Sequence, residues 1–180
     1  MKKIFISLFL PAMLALALVS CSNDSDSDAS DSINKEGVWM LTHFHSKAID
    51  KATNKVYWER EEYYDTNVSP ENDYDSDCLI FDVKAPNEKG LNPADVYSAY
   101  TFVEGKIMWE KKNHKTFFSE KRIISTGESW EYDIISVTSN TMELFDTHEQ
   151  FNNDGSISRF EERATLTRIS SIPGEIIAEQ

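Results

Sequence analysis

Apolar and polar residues alternate with a period of two along most of the chain after residue 36, whereas no long segment has the 3.6-residue period of a helix. Because successive side chains of a strand point to opposite faces of a sheet, this alternation predicts β-strands with one buried face. The pattern gives eight or nine strands, at 37–48, 56–64, 78–83, 96–103, 106–111, 115–124, 129–137, 141–151 and 157–169.

Short connections join most of these strands. Glu104-Gly105 and Ser139-Asn140 are two-residue hairpin signals, and Asn152-Asn153-Asp154-Gly155 is a turn. Strands in such a series are typical of an antiparallel up-and-down β-barrel, and about 145 residues suit one domain. The sequence therefore predicts an all-β barrel of 8–9 strands at 36–170, with a C-terminal tail at 171–180.

The first twenty residues lack the alternation of the strands and have the composition of a targeting segment. Lys2 and Lys3 precede an apolar run from Ile4 to Val19. That run is short for a spanning helix and ends at a small residue, so 1–20 predicts a cleaved signal peptide rather than a buried or membrane-anchoring helix.

Leu18-Val19-Ser20-Cys21 closes this segment and resembles the lipobox of bacterial lipoproteins. The resemblance implies cleavage before Cys21, whose sulfur would carry diacylglycerol and whose amino group would carry a fatty acid such as palmitate. Each buried CH₂ contributes about 0.8 kcal/mol, so several acyl chains would hold the protein firmly in the outer membrane.

The segment after Cys21 has nothing to bury. Ser22 to Ser32 contains no apolar residue larger than Ala29, which makes 21–35 a disordered acidic tether. It also resembles the acidic export signal of surface-displayed lipoproteins in one group of Gram-negative anaerobes. A plain periplasmic spacer is the alternative, so both a periplasmic and a surface-exposed position in the cell envelope stay open.

Charge and cysteine content narrow the choice of partners. Loss of the two signal-peptide lysines changes the formal charge from -13 to -15, with 16 basic against 31 acidic residues. Phosphate backbones repel such a chain, which argues against nucleic acid. Cys78 would be the only cysteine after Cys21, so no internal disulfide is expected, and a closed barrel without open edges is expected to be a monomer.

Gly37-x-Trp39 at the head of the first strand resembles the G-x-W signature of the lipocalin and calycin superfamily. Its members are closed antiparallel barrels of eight or more strands, often with a cavity open at one end. The resemblance implies that Gly37 and Trp39 lie at the closed floor, where Arg168 packs across the tryptophan in a cation–π contact. Uncharacterised bacterial lipoproteins described as lipocalin-like are similar, with Met142-x-Leu144 and Arg168 at the matching places.

The two ends of the predicted lumen differ in polarity. In a regular strand His43 and His45 face the same way as Trp39, roughly 13 to 20 Å towards the mouth at about 3.3 Å per residue, unless a β-bulge reverses the register. Aromatic side chains from other strands line this lumen or fill it. The residues expected at the lumen and mouth are Leu41, His43, His45, Trp58, Tyr100, Trp109, Trp130, Tyr132, Leu144, Asp146 and His148.

Three functions follow from these expectations. The first is a lipid-anchored, lipocalin-like binding protein for a small, mainly apolar ligand, and the second is a solid barrel that serves as an accessory protein for a protein partner. The third is a metal site that uses His43, His45 and His148, with Asp146. A catalytic His–Asp pair is a further alternative, but no partner nucleophile is evident in the sequence, so neither an enzyme nor a cofactor is predicted.

Overall fold

Every regular element in the described part of the computed structural model is a strand. That part covers residues 34–177 except 70, 71, 73, 75, 76, 104, 105, 128 and 129, and it leaves out the side chains of 100–103. The predicted signal peptide and Cys21 lie outside it. The strands are β1 Gly37–Asp50, β2 Lys55–Tyr63, β3 Leu79–Val83, β4 Asn92–Val103, β5 Lys106–Lys111, β6 Thr116–Phe118, β7 Arg122–Ser125, β8 Glu131–Val137, β9 Thr141–Phe151, β10 Ile157–Ile169 and β11 Glu175–Ile177.

Eight antiparallel strands close into a ring, in the order β1-β10-β9-β8-β7-β6-β4-β3 and back to β1. Three further strands attach to it: β2 pairs with β1, β5 pairs with β4, and β11 runs parallel to β5. The predicted all-β antiparallel barrel is thus confirmed. No helix in the described residues has the length and hydropathy needed to cross a membrane.

Two elements differ from the sequence prediction. The segment 115–124 forms two strands, β6 and β7, because the Ser119 side chain makes a local turn with the backbone of Arg122. The predicted tail contains β11, which is preceded by Gly174 at φ +93. A Cβ there would lie 2.5 Å from the carbonyl oxygen of Ile107, so only glycine lets the tail pass this close to β5.

The barrel wall separates two buried clusters, because alternate side chains of the same strands face opposite ways. The inner cluster lies inside the ring. Its buried members are Trp39, Leu41, Phe81, Val83, Ala94, Val96, Phe118, Ile123, Met142, Leu144, Ala164 and Leu166.

The outer cluster covers the opposite face of β1, β3, β4 and β5. The loop between β2 and β3 and the segment after β10 pack over this face, as the contacts of Val68 and Ile172 show. Its buried members are Met40, Tyr74, Cys78, Ile80, Tyr97, Ala99, Ile107 and Trp109.

A β-bulge at Thr42 reverses the faces of β1. Leu41 pairs with Leu166 and His43 pairs with Thr165, so Thr42 has no partner of its own opposite it. The Thr42 hydroxyl lies 2.8 Å from the Thr167 hydroxyl and holds the irregularity in place. Before the bulge the odd-numbered residues face the lumen, and after it the even-numbered residues do.

Two long hairpins extend beyond the ring on one side. The β8–β9 pairing runs only as far as Phe145, whereas β9 and β10 remain paired to Phe151. Beside them the end of β1 pairs with β2 from His43 to Asp50. The result is a four-stranded sheet, in the order β2-β1-β10-β9, that forms one high wall at the barrel mouth.

Candidate ligand-binding cavity

The closed end of the barrel is built around Trp39, which is fully buried. The guanidinium carbon of Arg168 lies 4.3 Å from the centroid of the Trp39 ring, and the two residues are register partners on β1 and β10. Arg168 also donates hydrogen bonds to the backbone oxygens of Glu36 and Asn34, at 2.5 and 2.7 Å. The cation–π contact predicted from the sequence is confirmed.

Gly37 is required by this arrangement. Its φ is +125, and an added Cβ would lie 2.8 Å from Nη1 of Arg168. The spacing Gly37-x-Trp39 therefore lets the arginine pass over the start of β1 and reach the indole ring. These contacts are structural and close the floor.

Above the floor the lumen is open. A cavity of about 530 Å³ occupies the ring above the floor, extends into the mouth beside β2, and is open to solvent. It is lined by Leu41, Phe44, Ser46, Trp58, Arg60, Asp77, Leu79, Phe81, Lys112, Ile123, Trp130, Tyr132, Leu144, Glu162, Ala164 and Leu166. Ligand pockets of about 300–1,000 Å³ are typical of small-molecule sites.

The lower part of the cavity is apolar and bounded by packed aromatic rings. Leu41 and Leu166 are register partners directly above the Trp39–Arg168 layer. On the opposite wall Trp130 packs edge-on against Phe81 and Tyr132, with ring centroids 6.4 and 5.8 Å apart. Interlocked aromatic rings of this kind hold their positions, because each contact is worth about 0.5–1.5 kcal/mol beyond the area it buries.

An aromatic row crosses the high wall at the mouth. Trp58, Ala48, Phe160 and His148 are register partners on the four neighbouring strands. The small side chain of Ala48 lets the Trp58 and Phe160 rings approach to 6.5 Å, and His148 stacks on Phe160 at 5.2 Å with the rings 8° apart. Trp58 remains 42% exposed, so this row offers an aromatic surface to an entering molecule.

A charged row lies one layer deeper, formed by the register partners Arg60, Ser46, Glu162 and Asp146. Glu162 Oε1 accepts a hydrogen bond from Ser46 Oγ at 3.2 Å, and Oε2 accepts one from the Tyr132 hydroxyl. Burial, followed by the negative charge of Glu162, raises the pKa of Tyr132 far above its usual value. The phenol therefore stays protonated and donates to the carboxylate.

The other charges of the cavity have partners of opposite sign. Arg60 contacts both Glu62 and Asp77, and these hydrogen bonds raise the guanidinium pKa further. Lys112 Nζ lies 3.7 Å from Glu110 Oε2. The arginine and lysine are thus partly neutralised before any ligand enters.

The bulge places His43 and His45 outside the barrel, so the β-bulge alternative of the sequence prediction applies and neither histidine lines the cavity. His43 stacks on Tyr63 at 4.5 Å, and its Nε2 lies 3.1 Å from Glu61. His45 Nε2 lies 2.8 Å from Glu59. Both pairs belong to the exposed face of the β1–β2 hairpin.

Asp146 and His148 do lie together at the mouth, as predicted. His148 Nδ1 is 2.7 Å from Asp146 Oδ2. However, His148 and the two β1 histidines lie on opposite faces of the sheet, so the proposed three-histidine site does not form. Over the described residues, no group of three or more histidine, cysteine or carboxylate side chains is positioned to hold a metal ion.

The sequence prediction placed Trp109 at the lumen, which is wrong. It is fully buried in the outer cluster, where its indole donates to the backbone oxygen of Pro173 and its ring meets Tyr74 at 6.3 Å. It therefore covers the outside of the wall rather than the lumen. The side chain of Tyr100 lies outside the described residues. The remaining predicted residues that line the cavity are Leu41, Trp58, Trp130, Tyr132 and Leu144.

Sequence reasoning missed several cavity residues, above all Glu162. Counting back in steps of two from Arg168 along β10 reaches Leu166, Ala164, Glu162 and Phe160, so the alternation held the signal. The lumen-facing orientation of Phe44 and Ser46 was not predicted, because the bulge at Thr42 reverses the alternation before them. Arg60 and Asp77 come together only through the loop between β2 and β3.

Comparison with known proteins adds no relative to this description. No family model, no curated protein and no solved structure matches the chain.

Proposed function

We propose that this protein is a lipid-anchored, lipocalin-like binding protein of the cell envelope that takes a small, mainly apolar ligand into its barrel. The observation that carries the proposal is the cavity of about 530 Å³ above an apolar floor. A molecule that enters it exchanges water for the side chains of Leu41, Leu144 and Leu166. Burial of apolar surface is worth about 25 cal/mol per Å² before the costs of binding are subtracted.

The geometry of the floor supports the lipocalin-like character. A glycine at positive φ, a buried tryptophan and an arginine from the last strand of the ring meet at one end, as the G-x-W resemblance leads one to expect. The cavity lies at the other end of the same strands. This combination favours a carrier or sensor over a purely structural barrel.

The alternative functions rest on features that the structure arranges differently. The accessory-protein hypothesis assumed that side chains fill the lumen, whereas the lumen contains a cavity. The metal hypothesis assumed that His43, His45 and His148 converge, whereas they lie on two faces of one sheet.

Binding of a neutral, environment-sensitive fluorophore such as N-phenyl-1-naphthylamine tests the proposal. The chain from Ser22 to Gln180, which lacks only the signal and the lipidated cysteine, retains every contact described above. We expect saturable fluorescence enhancement with micromolar affinity and one site per chain. Ala164→Phe places a ring in the cavity and should weaken binding at least tenfold.

Thr165→Phe is the matched control, because Thr165 is the next residue along β10 and its side chain faces outwards. It should leave the affinity within twofold of the original. Equal loss of binding in both variants, or none in either, would show that the fluorophore does not occupy the barrel and would contradict the proposal.

A further inference from the structure

The Glu162 carboxylate differs from its neighbours because its hydrogen-bond partners among the described residues are both neutral. Ser46 and Tyr132 each donate one hydrogen bond to it. The next residue, Glu161, faces outwards and forms an ion pair with Lys47 at 2.8 Å. Among the described residues no lysine, arginine or histidine forms an ion pair with Glu162. A negative charge without a cationic partner therefore lies in the cavity wall.

This carboxylate retains binding capacity. An ionised carboxylate offers about four lone-pair sites, and the two hydrogen bonds use only two of them. A partly buried charge is costly when it is not compensated, since the protein excludes part of the water that would solvate it. An incoming cation with N–H groups would relieve this cost.

The surroundings of Glu162 suit a cation. Trp58, Trp130 and Tyr132 line the same cavity and present aromatic rings, which attract ammonium groups through their quadrupoles. Below Glu162 on β10 the wall becomes apolar at Ala164 and Leu166. A ligand with its charge at the charged row would thus extend an apolar body down to the floor.

An anionic ligand would meet a different situation. Arg60 and Lys112, the cationic side chains among the described residues that line the cavity, already lie next to Asp77 and Glu110. An anionic head group would compete with these carboxylates and would also be repelled by Glu162. The cavity therefore disfavours a fatty-acid-like molecule in comparison with an amine.

We propose that the ligand of this barrel is an amphiphile with a protonated amine, whose nitrogen binds Glu162 and whose apolar part fills the cavity floor. This inference rests on the proposed function and specifies the ligand class for the same site.

Displacement of N-phenyl-1-naphthylamine by three ten-carbon competitors tests it. Decylamine, decanol and decanoate share one apolar body and differ in head-group charge, and all are used below the concentration at which they form micelles. We expect decylamine to displace the fluorophore at a concentration at least tenfold lower than decanol, with decanoate the weakest. A charged hydrogen bond accounts for an effect of about this size.

Glu162→Gln should abolish the preference for the amine, so that decylamine and decanol displace the fluorophore at similar concentrations. Glu161→Gln removes a charge from the adjacent, outward-facing position and should retain the full preference. Both variants are compared at matched folded fraction, measured by urea unfolding.

Each alternative outcome has a separate meaning. A decylamine affinity equal to that of decanol, a stronger decanoate affinity, or an amine preference that survives in Glu162→Gln would overturn the inference and leave the carrier proposal intact. Failure of the fluorophore itself to bind the unmodified barrel would remove the proposed function and the inference with it.

Discussion

The inner and outer clusters lie on opposite faces of the same barrel wall, and they differ in how completely they are packed. The outer cluster is covered, because Val68 from the connection between β2 and β3 and Ile172 from the segment leading to β11 pack against it, and none of its buried residues lines the cavity. The inner cluster is packed only at the floor and leaves about 530 Å³ open above it. Buried packing is therefore concentrated on the outside of the wall and at the floor, while the upper lumen stays open.

The largest expected effect comes from the outer cluster. Trp109→Ala leaves a void beside Tyr74 and Ile107 and removes the hydrogen bond to the backbone oxygen of Pro173. We expect a loss of about 3–5 kcal/mol in the free energy of unfolding. Fluorophore affinity per folded molecule should stay unchanged.

Urea titrations measure the first quantity and fluorescence titrations the second. Trp130→Ala is the counterpart inside the cavity. It should reduce the binding free energy of the fluorophore by more than it reduces the free energy of unfolding. The comparison between the two clusters fails if Trp109→Ala changes affinity while Trp130→Ala does not.

At the floor, Gly37→Ala should destabilise the barrel by about 1–3 kcal/mol, because it combines an unfavourable φ with a clash against Arg168. Arg168→Ala alone should cost about 1–2 kcal/mol through the lost contact with Trp39. With the arginine gone, part of the clash disappears.

The double variant should therefore be more stable than the sum of the single effects predicts, by an amount that unfolding experiments on all four proteins resolve. Strict additivity would contradict the close approach of Gly37 and Arg168.

At alkaline pH, one buried tyrosine from each cluster should lower the stability of the fold. The pKa of Tyr132 is raised by burial and by Glu162, and the pKa of Tyr74 is raised mainly by burial. The native state therefore keeps these protons at a pH at which the unfolded chain loses them. The contribution of the two tyrosines to the free energy of unfolding is thus fully present below about pH 10 and decreases above it. Each such tyrosine contributes a slope of at most about 1.4 kcal/mol per pH unit.

Unfolding midpoints between pH 9 and 11 should fall less steeply in Tyr132→Phe and in Tyr74→Phe than in the original protein. Glu162→Gln should reduce the slope only through Tyr132, so it should have no further effect in the Tyr132→Phe background. A slope unchanged by all three substitutions would contradict this account.

The smallest effects are expected on the outer face of the β1–β2 hairpin. His43→Ala and His45→Ala remove exposed pairs with Glu61 and Glu59 and should change stability by no more than about 0.5 kcal/mol each. Fluorophore binding should not change, and zinc should not stabilise either variant differently from the original chain. Loss of fluorophore binding in either variant would contradict the outward orientation of the two histidines.

Local pattern was sufficient wherever a strand is regular. Period-two alternation located nearly all of the strands, and the G-x-W resemblance implied that Gly37, Trp39 and Arg168 meet at the floor. Continuous alternation on β9 likewise brought Leu144 and Asp146 to the lumen side. These features depend on residues close in sequence, or on the single pairing of β1 with β10 that closes the barrel.

Long-range contacts decided the rest. Thr42 looks like any other strand residue, and its bulge is stabilised by Thr167, more than a hundred positions away. Without that contact the faces of His43 and Phe44 cannot be assigned, because a shift of one residue reverses every side chain that follows. Trp109 is apolar on either face, and only the return of the chain at Pro173 determines which face is covered.

The amino-acid sequence by itself determined an all-β barrel and its strand order along the chain, since these follow from alternation and turn chemistry. The residues of its floor were implied by the G-x-W resemblance. Only the tertiary structure decided which side chains line the lumen and that the lumen is open. Both depend on how the two sides of the wall are covered, and that covering comes from segments distant in sequence whose packing no local pattern specifies.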